Sequence, residues 1–417
     1  MRTDLYELTM VDTALRSGVA GRPATFEVTA RRLPAGRKHG VFVGVDRLLD
    51  ALERFRFDDD DLTWLVSNGH LSPAGRQHLA RYRFRGTVDA YSEGELWYPH
   101  SPVLAVTAPF VDAVLLETLV LSILNFDSAV AAAASRMVGA ARGRDLVEMG
   151  GRRTHEEAAL AAARAAWIAG FASTSNLAAA KRYGIPVMGT AAHAFILAFE
   201  GRGGERAAFD AQIAMMGPRT TLLVDTYDIG IGIDNAVAAA RAVGAAGPGA
   251  IRLDSDDPAL TTRKARAQLD ALGASETRIV VTGDVDEAQI TRLETGAAHG
   301  GERAPVDAYG VGTAVVTGDG HPTAGFVYKL VSLDDPPIGV AKSSVGKEGR
   351  PGRKAAWRVP GEVGDVVSAD DGPPPVGGRP LLKRVMVDGR PTGEAGDLAG
   401  ARSHHAAVLA ELRGATR

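Results

Sequence analysis

From Leu146 onward the chain repeats one pattern: a short apolar run, a polar or glycine residue at its end, and then an alanine- or charge-rich helical stretch. Six such runs occur, Leu146–Met149, Ile185–Thr190, Thr221–Asp225, Ala250–Asp254, Arg278–Thr282 and Val306–Gly312, spaced by helices such as Asn235–Val243 and Pro258–Leu272. Alternation of this kind predicts parallel strands joined by right-handed crossovers, which leaves two α/β architectures, a closed barrel or an open doubly wound sheet. Both put ligands at the carboxyl ends of the strands. Glu148, Thr190, Asp225, Asp254 and Gly312 all fall at or just past those ends. A closed barrel makes the ends converge, so the barrel is the favoured expectation.

The flanks read differently. Residues 1–128 mix short β-like runs (Tyr91–Tyr98, Val103–Thr107) with a helix over Val45–Phe55, the texture of an α+β layer. The predicted division is 1–128 for that domain and 129–345 for the barrel. Residues 346–417 then supply a basic loop, a linker and a carboxyl segment docking on the amino-terminal layer. Ala113–Phe126 is interrupted by Glu117 and Asn125 and falls short of the roughly 20 residues that span a bilayer, so it is expected to be a buried helix, continued by Ala129–Arg142. Gly361–Pro380 reads as a linker, and a strand at Leu382–Val387 and a helix at Ser403–Leu412 follow it.

Composition narrows the chemistry. With 47 basic and 50 acidic residues over 417, the formal charge of -3 gives no global field for nucleic acid or an anionic membrane, so no such partner is expected and phosphate binding must be local. The chain has no cysteine, which excludes thiolate metal sites and thiol nucleophiles. The segment Met1–Met10 carries two acids and no signal-like apolar block, so a cytoplasmic location is expected.

Candidate site residues follow from position. Tyr309-Gly-Val-Gly-Thr313 ends an apolar run, where bare backbone amides can approach phosphate oxygens, although a tight turn gives the same pattern. Gly150-Gly-Arg-Arg153 sets two guanidiniums just after a strand, able to grip a carboxylate or phosphate with paired hydrogen bonds. His155-Glu-Glu157 after it reads as a structural helix start. His193, three residues past a strand, can serve as acid, base, phosphoryl acceptor or plain structural residue. Asp225 and Asp254 suit a hydrated magnesium ion or ribose hydroxyls, whereas Asp256 or Asp257 before Pro258 suits a helix cap. Lys342–Lys354, with five cations in thirteen residues, is either an exposed loop or a mobile arm over a polyphosphate.

Together these segments resemble the nicotinate phosphoribosyltransferase family over nearly the whole chain. The resemblance is carried by Thr3-Asp-Leu-Tyr-Glu-Leu-Thr-Met10, Gly151-Arg-Arg153, Gly170-Phe-Ala-Ser-Thr-Ser-Asn176 and Ile185-Pro-Val-Met-Gly-Thr-Ala-Ala-His193. In the same order come Leu223–Asp228, Ile251–Ser255, Tyr309–Thr313, Val327–Leu330 and Pro351–Lys354.

The resemblance implies an irregular TIM-like barrel of the type II phosphoribosyltransferase kind plus an α+β sandwich-like domain. It also implies reaction of nicotinate with phosphoribosyl pyrophosphate to give nicotinate mononucleotide and pyrophosphate, coupled to ATP hydrolysis and dependent on Mg2+. Under it, Arg152 or Arg153 holds the nicotinate carboxylate, while Gly189, Thr190 and Arg252 line the substrate pocket. Asp225, Arg252 and Asp254 position the sugar and the metal, with Asp254 the metal ligand. Gly310, Gly312 and Thr313 bind the 5-phosphate, His193 is phosphorylated by ATP, and Lys347, Arg353 and Lys354 belong to a loop closing on phosphates. A homodimer with shared active sites is implied too, with Tyr6 of one subunit stacking on the pyridine ring held by the other.

Three departures from the family pattern stand out: Ala194 where a hydroxyl residue is usual, Asp254-Ser-Asp-Asp257 in place of Asp-Ser-Gly-Asp, and no cysteines for a zinc knuckle. The competing expectations are a nicotinamide phosphoribosyltransferase and an aldolase-type barrel with Lys329 or Lys181 as Schiff base.

Overall fold

The computed structural model describes residues 2–254, 257–297, 300–343 and 349–415. The chain forms two compact units, Met1–Ala132 together with His321–Arg417, and Ala133–Gly320. The expected boundary near residue 345 therefore moves back to 320. The cause is the strand Phe326–Leu333, which pairs antiparallel with Pro23–Ala30 along its whole length and so belongs with the amino terminus.

The first unit is built on a seven-stranded antiparallel sheet in the order Ile338–Gly339, Phe326–Leu333, Pro23–Ala30, Leu104–Pro109, Thr87–Ala90, Lys383–Val387, Arg390–Pro391. Its apolar face packs Phe26 on Tyr328, with ring centroids 4.7 Å apart and planes within 10°. The helical run Phe110–Ala140 is longer than the apolar segment legible in sequence, and by length and composition it could cross a bilayer. However, 67% of its most apolar window is buried inside the protein, as in a core helix.

The expected linker Gly361–Pro380 is instead partly strand. Val366–Ala369 and Arg379–Pro380 flank Lys354–Arg358 in a three-stranded sheet. Polar anchors rather than apolar runs hold it. Asp365 accepts hydrogen bonds from Ser101 Oγ at 2.6 Å, Tyr91 OH at 3.0 Å and Arg358 Nη2 at 2.7 Å. Glu95, 1% exposed, lies 2.8 Å from Arg379 Nη1 and 3.0 Å from His404 Nε2. Burial alone would raise the Glu95 carboxyl, but the hydrogen bonds from His404 and Arg379 and the charges of Arg379 and Arg358 win, holding it at about 2 against an ordinary 4.5.

A depressed carboxyl stabilises the fold fully above its unfolded value and loses that stabilisation as the pH falls towards its folded value. Urea unfolding should therefore show the advantage of wild type over Glu95→Gln shrinking by roughly 2 kcal/mol between about pH 5 and about pH 3. A difference independent of pH in that window contradicts the assignment.

The second unit carries a six-stranded parallel sheet in the order Ser173–Thr174, Asp145–Glu148, Ala308–Val311, Arg278–Val281, Ala250–Leu253, Thr221–Leu223. Ile185–Thr190, expected as a full strand, contributes one parallel bridge, Val187 to Thr174. Ser173–Thr174 is a strand that two residues could not announce by periodicity. Among the described residues no backbone ladder joins the Val187 edge to Thr221–Leu223. The Arg252 side chain spans that gap instead, donating from Nη1 to Thr190 Oγ1 at 3.0 Å and to Ala191 O at 3.3 Å. The sheet is thus a parallel half-barrel with a side-chain bridge across its open side. Helices Glu156–Ile168, Leu177–Tyr183, Ile229–Ala242 and Pro258–Ala271 begin on His155, Asn176, Asp228 and Asp257, each accepting a first-turn N–H. His155-Glu-Glu157 forms the helix start expected of it, with His155 as its cap, and of Asp256 or Asp257 it is Asp257 that caps the helix beginning at Pro258.

Candidate active site

In the second unit the sequence-derived candidates gather on one rim, the carboxyl ends of the parallel strands. Asp225 follows Thr221–Leu223, and its Oδ2 accepts the backbone N–H of Asp254, which ends the neighbouring strand Ala250–Leu253. His193 opens the short helix His193–Leu197. Its Nδ1 lies 3.1 Å from Thr226 Oγ1 and its Nε2 3.9 Å from Asp225 Oδ1. Thr226, invisible as a candidate in the sequence, thereby fixes the ring so that Nε2 faces the carboxylate.

Electrostatics tie the same groups together. Burial pushes the Asp225 carboxyl up, the Asp254 N–H and the charge of His193 pull it down, and Asp254 pushes it up again; the net direction is up. Burial lowers Arg252, Asp254 and Asp225 counter it, and the charge of Arg152 adds to the lowering. Arg152 therefore shares its field with Arg252. Among the described residues, Asp225 Oδ1 and Arg252 Nε are both buried without a hydrogen-bond partner. Buried donors and acceptors are seldom left so, and water, an ion or a ligand can complete them.

Glycines set how closely the strand ends approach. Gly283, at φ +87°, lies against the Asp254 carboxylate so tightly that a Cβ would overlap Oδ1. No sequence signal singled it out. Gly310, expected to bind phosphate, has another role: it is buried in the strand Ala308–Val311, and a Cβ there would come within 2.7 Å of Met149 Sδ and of Thr282 Cγ2. Its bare face is used for packing. Gly312 and Thr313, one and two residues past the strand, are half-buried and exposed respectively and remain the phosphate candidates. Gly189 is exposed, Thr190 holds Arg252, and Arg152 and Arg153 are exposed in the turn after Asp145–Glu148.

In that turn Glu148, 1% exposed, accepts Gly150 N–H at 2.5 Å and Thr174 Oγ1–H at 2.6 Å. Thr174 Oγ1 in turn accepts Asn176 N–H at 3.0 Å.

Other candidates lie in the first unit. Tyr6, 45% exposed on the first turn of helix Leu5–Ser17, has its hydroxyl pushed up to about 12 by burial and by the nearby Glu117 and Glu7 carboxylates. Arg353 and Lys354 do not sit on a free arm. Lys354 Nζ pairs with buried Glu27 at 2.7 Å, and Arg353 pairs with Asp89 at 3.0 Å and Asp370 at 3.2 Å. Both charges are committed inside the sheet region, which corrects the expectation that they close on phosphates. Lys347 and Asp256 lie outside the described residues. Lys181 and Lys329 are both exposed, unlike the desolvated lysine that Schiff-base chemistry needs.

The family model for the nicotinate phosphoribosyltransferase (NAPRTase) N-terminal domain matches residues 1–125. The chain is 53% identical to nicotinate phosphoribosyltransferase pncB1 of Mycobacterium tuberculosis over 423 residues, covering 99% of this chain and 91% of that protein. It is 37% identical over 366 residues to nicotinate phosphoribosyltransferase of Bacillus subtilis, covering 86% and 73%. The crystal structure of human nicotinic acid phosphoribosyltransferase superposes with a TM-score of 0.80 at 28% identity, over 99% of this chain and 94% of that one.

Proposed function

The chain belongs to the nicotinate phosphoribosyltransferase family, and from that premise we propose how its own residues carry the joining of nicotinate to phosphoribosyl pyrophosphate. It is an enzyme of NAD salvage. The observation that carries the assignment of roles is the rim itself: Arg252, Asp225, Asp254 and His193 are tied together, and two buried atoms there have no hydrogen-bond partner among the described residues.

Breaking the anomeric carbon–oxygen bond leaves positive charge on the ribose and negative charge on departing pyrophosphate, so the site must supply anions to the sugar and cations to the leaving group. Asp225 and Asp254 take the first role. Arg252, held by Thr190, offers its unpartnered Nε to phosphate oxygens. Arg152 and Arg153 grip the nicotinate carboxylate with paired hydrogen bonds. Backbone amides at Gly312 and Thr313 receive the 5-phosphate.

Asp225 and Asp254 fit a magnesium ion, which takes one or two carboxylates and completes its shell with water and phosphate. Oδ1 of Asp225, which accepts no hydrogen bond among the described residues, is the oxygen that would serve. When bound, the ion neutralises charge building on pyrophosphate.

ATP is proposed as co-substrate. His193 attacks the terminal phosphorus, the bond to ADP breaks, the ring proton is released, and hydrolysis of the phosphohistidine during the cycle pulls the reaction towards product. Thr226 holds Nδ1, which leaves Nε2, facing Asp225 at 3.9 Å, as the nitrogen without a hydrogen bond to Thr226. The half-barrel with its Arg252 bridge supports reading the unit as an irregular TIM-like barrel of the type II phosphoribosyltransferase kind. A cytoplasmic homodimer completes the proposal, with Tyr6 reaching the partner's pyridine ring. The exposed apolar side chains Leu177, Val187 and Leu197 support a buried subunit contact.

The test is to quantify nicotinate mononucleotide, pyrophosphate and ADP with and without ATP, in wild type and His193→Asn. Wild type should release ADP in proportion to product. The variant should lose about 10²-fold of the ATP-dependent rate and keep the slow ATP-independent synthesis. Undiminished ATP stimulation in the variant removes His193 from the phosphoryl role.

A further inference from the structure

We propose that Glu148 is a positioning residue for nicotinate binding: its two carboxylate oxygens tie the Gly150–Arg153 turn to the Thr174–Asn176 turn and so set where Arg152 and Arg153 present their guanidiniums. The inference rests on the proposed role of those arginines and deepens it.

Glu148 sits at the end of its strand with both oxygens used, Oε1 by the Gly150 N–H and Oε2 by the Thr174 hydroxyl. The two donors come from different segments. One begins the arginine turn, which is closed by Arg153 N–H to Gly150 O at 2.8 Å. The other anchors Asn176, whose side chain caps the helix Leu177–Tyr183. A carboxylate is the one side chain of this reach that accepts at both oxygens at once; an amide accepts at one and donates at the other.

Stability alone does not call for a carboxylate here. Both of these donors are neutral, and burial pushes the carboxyl up, with the Thr174 and Gly150 hydrogen bonds opposing it. A buried anion held by neutral donors is a poor stabiliser compared with a well-packed neutral group. What it provides is geometry. Gly150 is crowded by the phosphate turn as well: a Cβ there would overlap Val316 and meet Gly312 O at 2.9 Å. The arginine turn is thus gripped between Glu148 and the turn proposed to hold the 5-phosphate. That grip fixes the separation of the two halves of the substrate pair.

The experiment is steady-state kinetics on the full chain for Glu148→Gln, Thr174→Val, Thr174→Ser, Arg152→Ala and Arg153→Ala, reading the KM for each substrate and kcat separately. Glu148→Gln and Thr174→Val should each raise the nicotinate KM about tenfold, while the phosphoribosyl pyrophosphate KM and kcat stay within about threefold. Thr174→Ser, which keeps the hydroxyl, should bring the nicotinate KM back to within about twofold of wild type. Glu148→Gln combined with Arg152→Ala should be less than multiplicative in KM, because one acts through the other.

A merely structural role would show as a fall in kcat with both KM values unmoved, and that result overturns the proposal. If Arg152→Ala and Arg153→Ala leave the nicotinate KM unchanged, the arginine clamp falls and this inference with it. If they raise it and Glu148→Gln and Thr174→Val do not, only the role of Glu148 falls.

Discussion

Replacing Arg152 and Arg153 together by alanine is expected to lower kcat/KM for nicotinate by about 10³-fold and to leave the slow turnover of nicotinamide nearly unchanged. The asymmetry follows from charge. A carboxylate meeting a guanidinium gains paired, charge-assisted hydrogen bonds, each roughly twice as strong as a neutral one, whereas the carboxamide of nicotinamide cannot match them. With nicotinamide the native enzyme leaves a cation without its anion beside Arg252, whose own pKa is already lowered by burial and then by the charge of Arg152. Removing the pair should therefore erase preference rather than transfer it. The measurement is product formation from each base under identical phosphoribosyl pyrophosphate. Equal rates for the two bases in wild type, or a parallel fall for both in the variant, would contradict the clamp.

Gly283→Ala is expected to reduce kcat by about 10²-fold through Asp254, without touching any substrate itself. Alanine meets two obstacles there. Its backbone must hold φ near +87°, where a side chain is strained, and its methyl carbon would overlap the Asp254 carboxylate. The carboxylate is the softer of the two neighbours and should move, and a displacement of about 1 Å in a positioned catalytic group is enough for that loss. Thermal unfolding should show about 1–2 kcal/mol of destabilisation from the backbone strain. A variant as active as wild type would mean that Asp254 does its work from a position the glycine does not control.

These effects separate what the sequence makes legible from what it hides. Asp225 and Asp254 could be picked out because an apolar run ending in a carboxylate is a local pattern, and the strand–helix repeat says where it lies in the fold. Thr226 and Gly283 act through partners on other segments, His193 and Asp254, so no spacing within a window reveals them; Glu148 shows in the sequence as a strand-end carboxylate, but its link to Thr174 does not. The same non-locality misled in the other direction. Arg353 and Lys354 look like part of a free cationic arm because their partners Asp89 and Glu27 are near the other end of the chain. Gly310 looks like a phosphate turn until Met149 and Thr282 are seen to fill the space beside it. The linker reading of Gly361–Pro380 failed because short strands pinned by Asp365 have no apolar periodicity to display.

The pairing of Pro23–Ala30 with Phe326–Leu333 has a consequence for biosynthesis. The strand Pro23–Ala30 emerges early and cannot gain that neighbour until almost 300 further residues have been translated, roughly 15–60 s at ordinary elongation rates. The Ala133–Gly320 unit, continuous in the chain, has all its strands available before then. The nascent amino-terminal segment must meanwhile keep one edge of its sheet unpaired, which makes it the stretch of this chain most in need of protection on the ribosome.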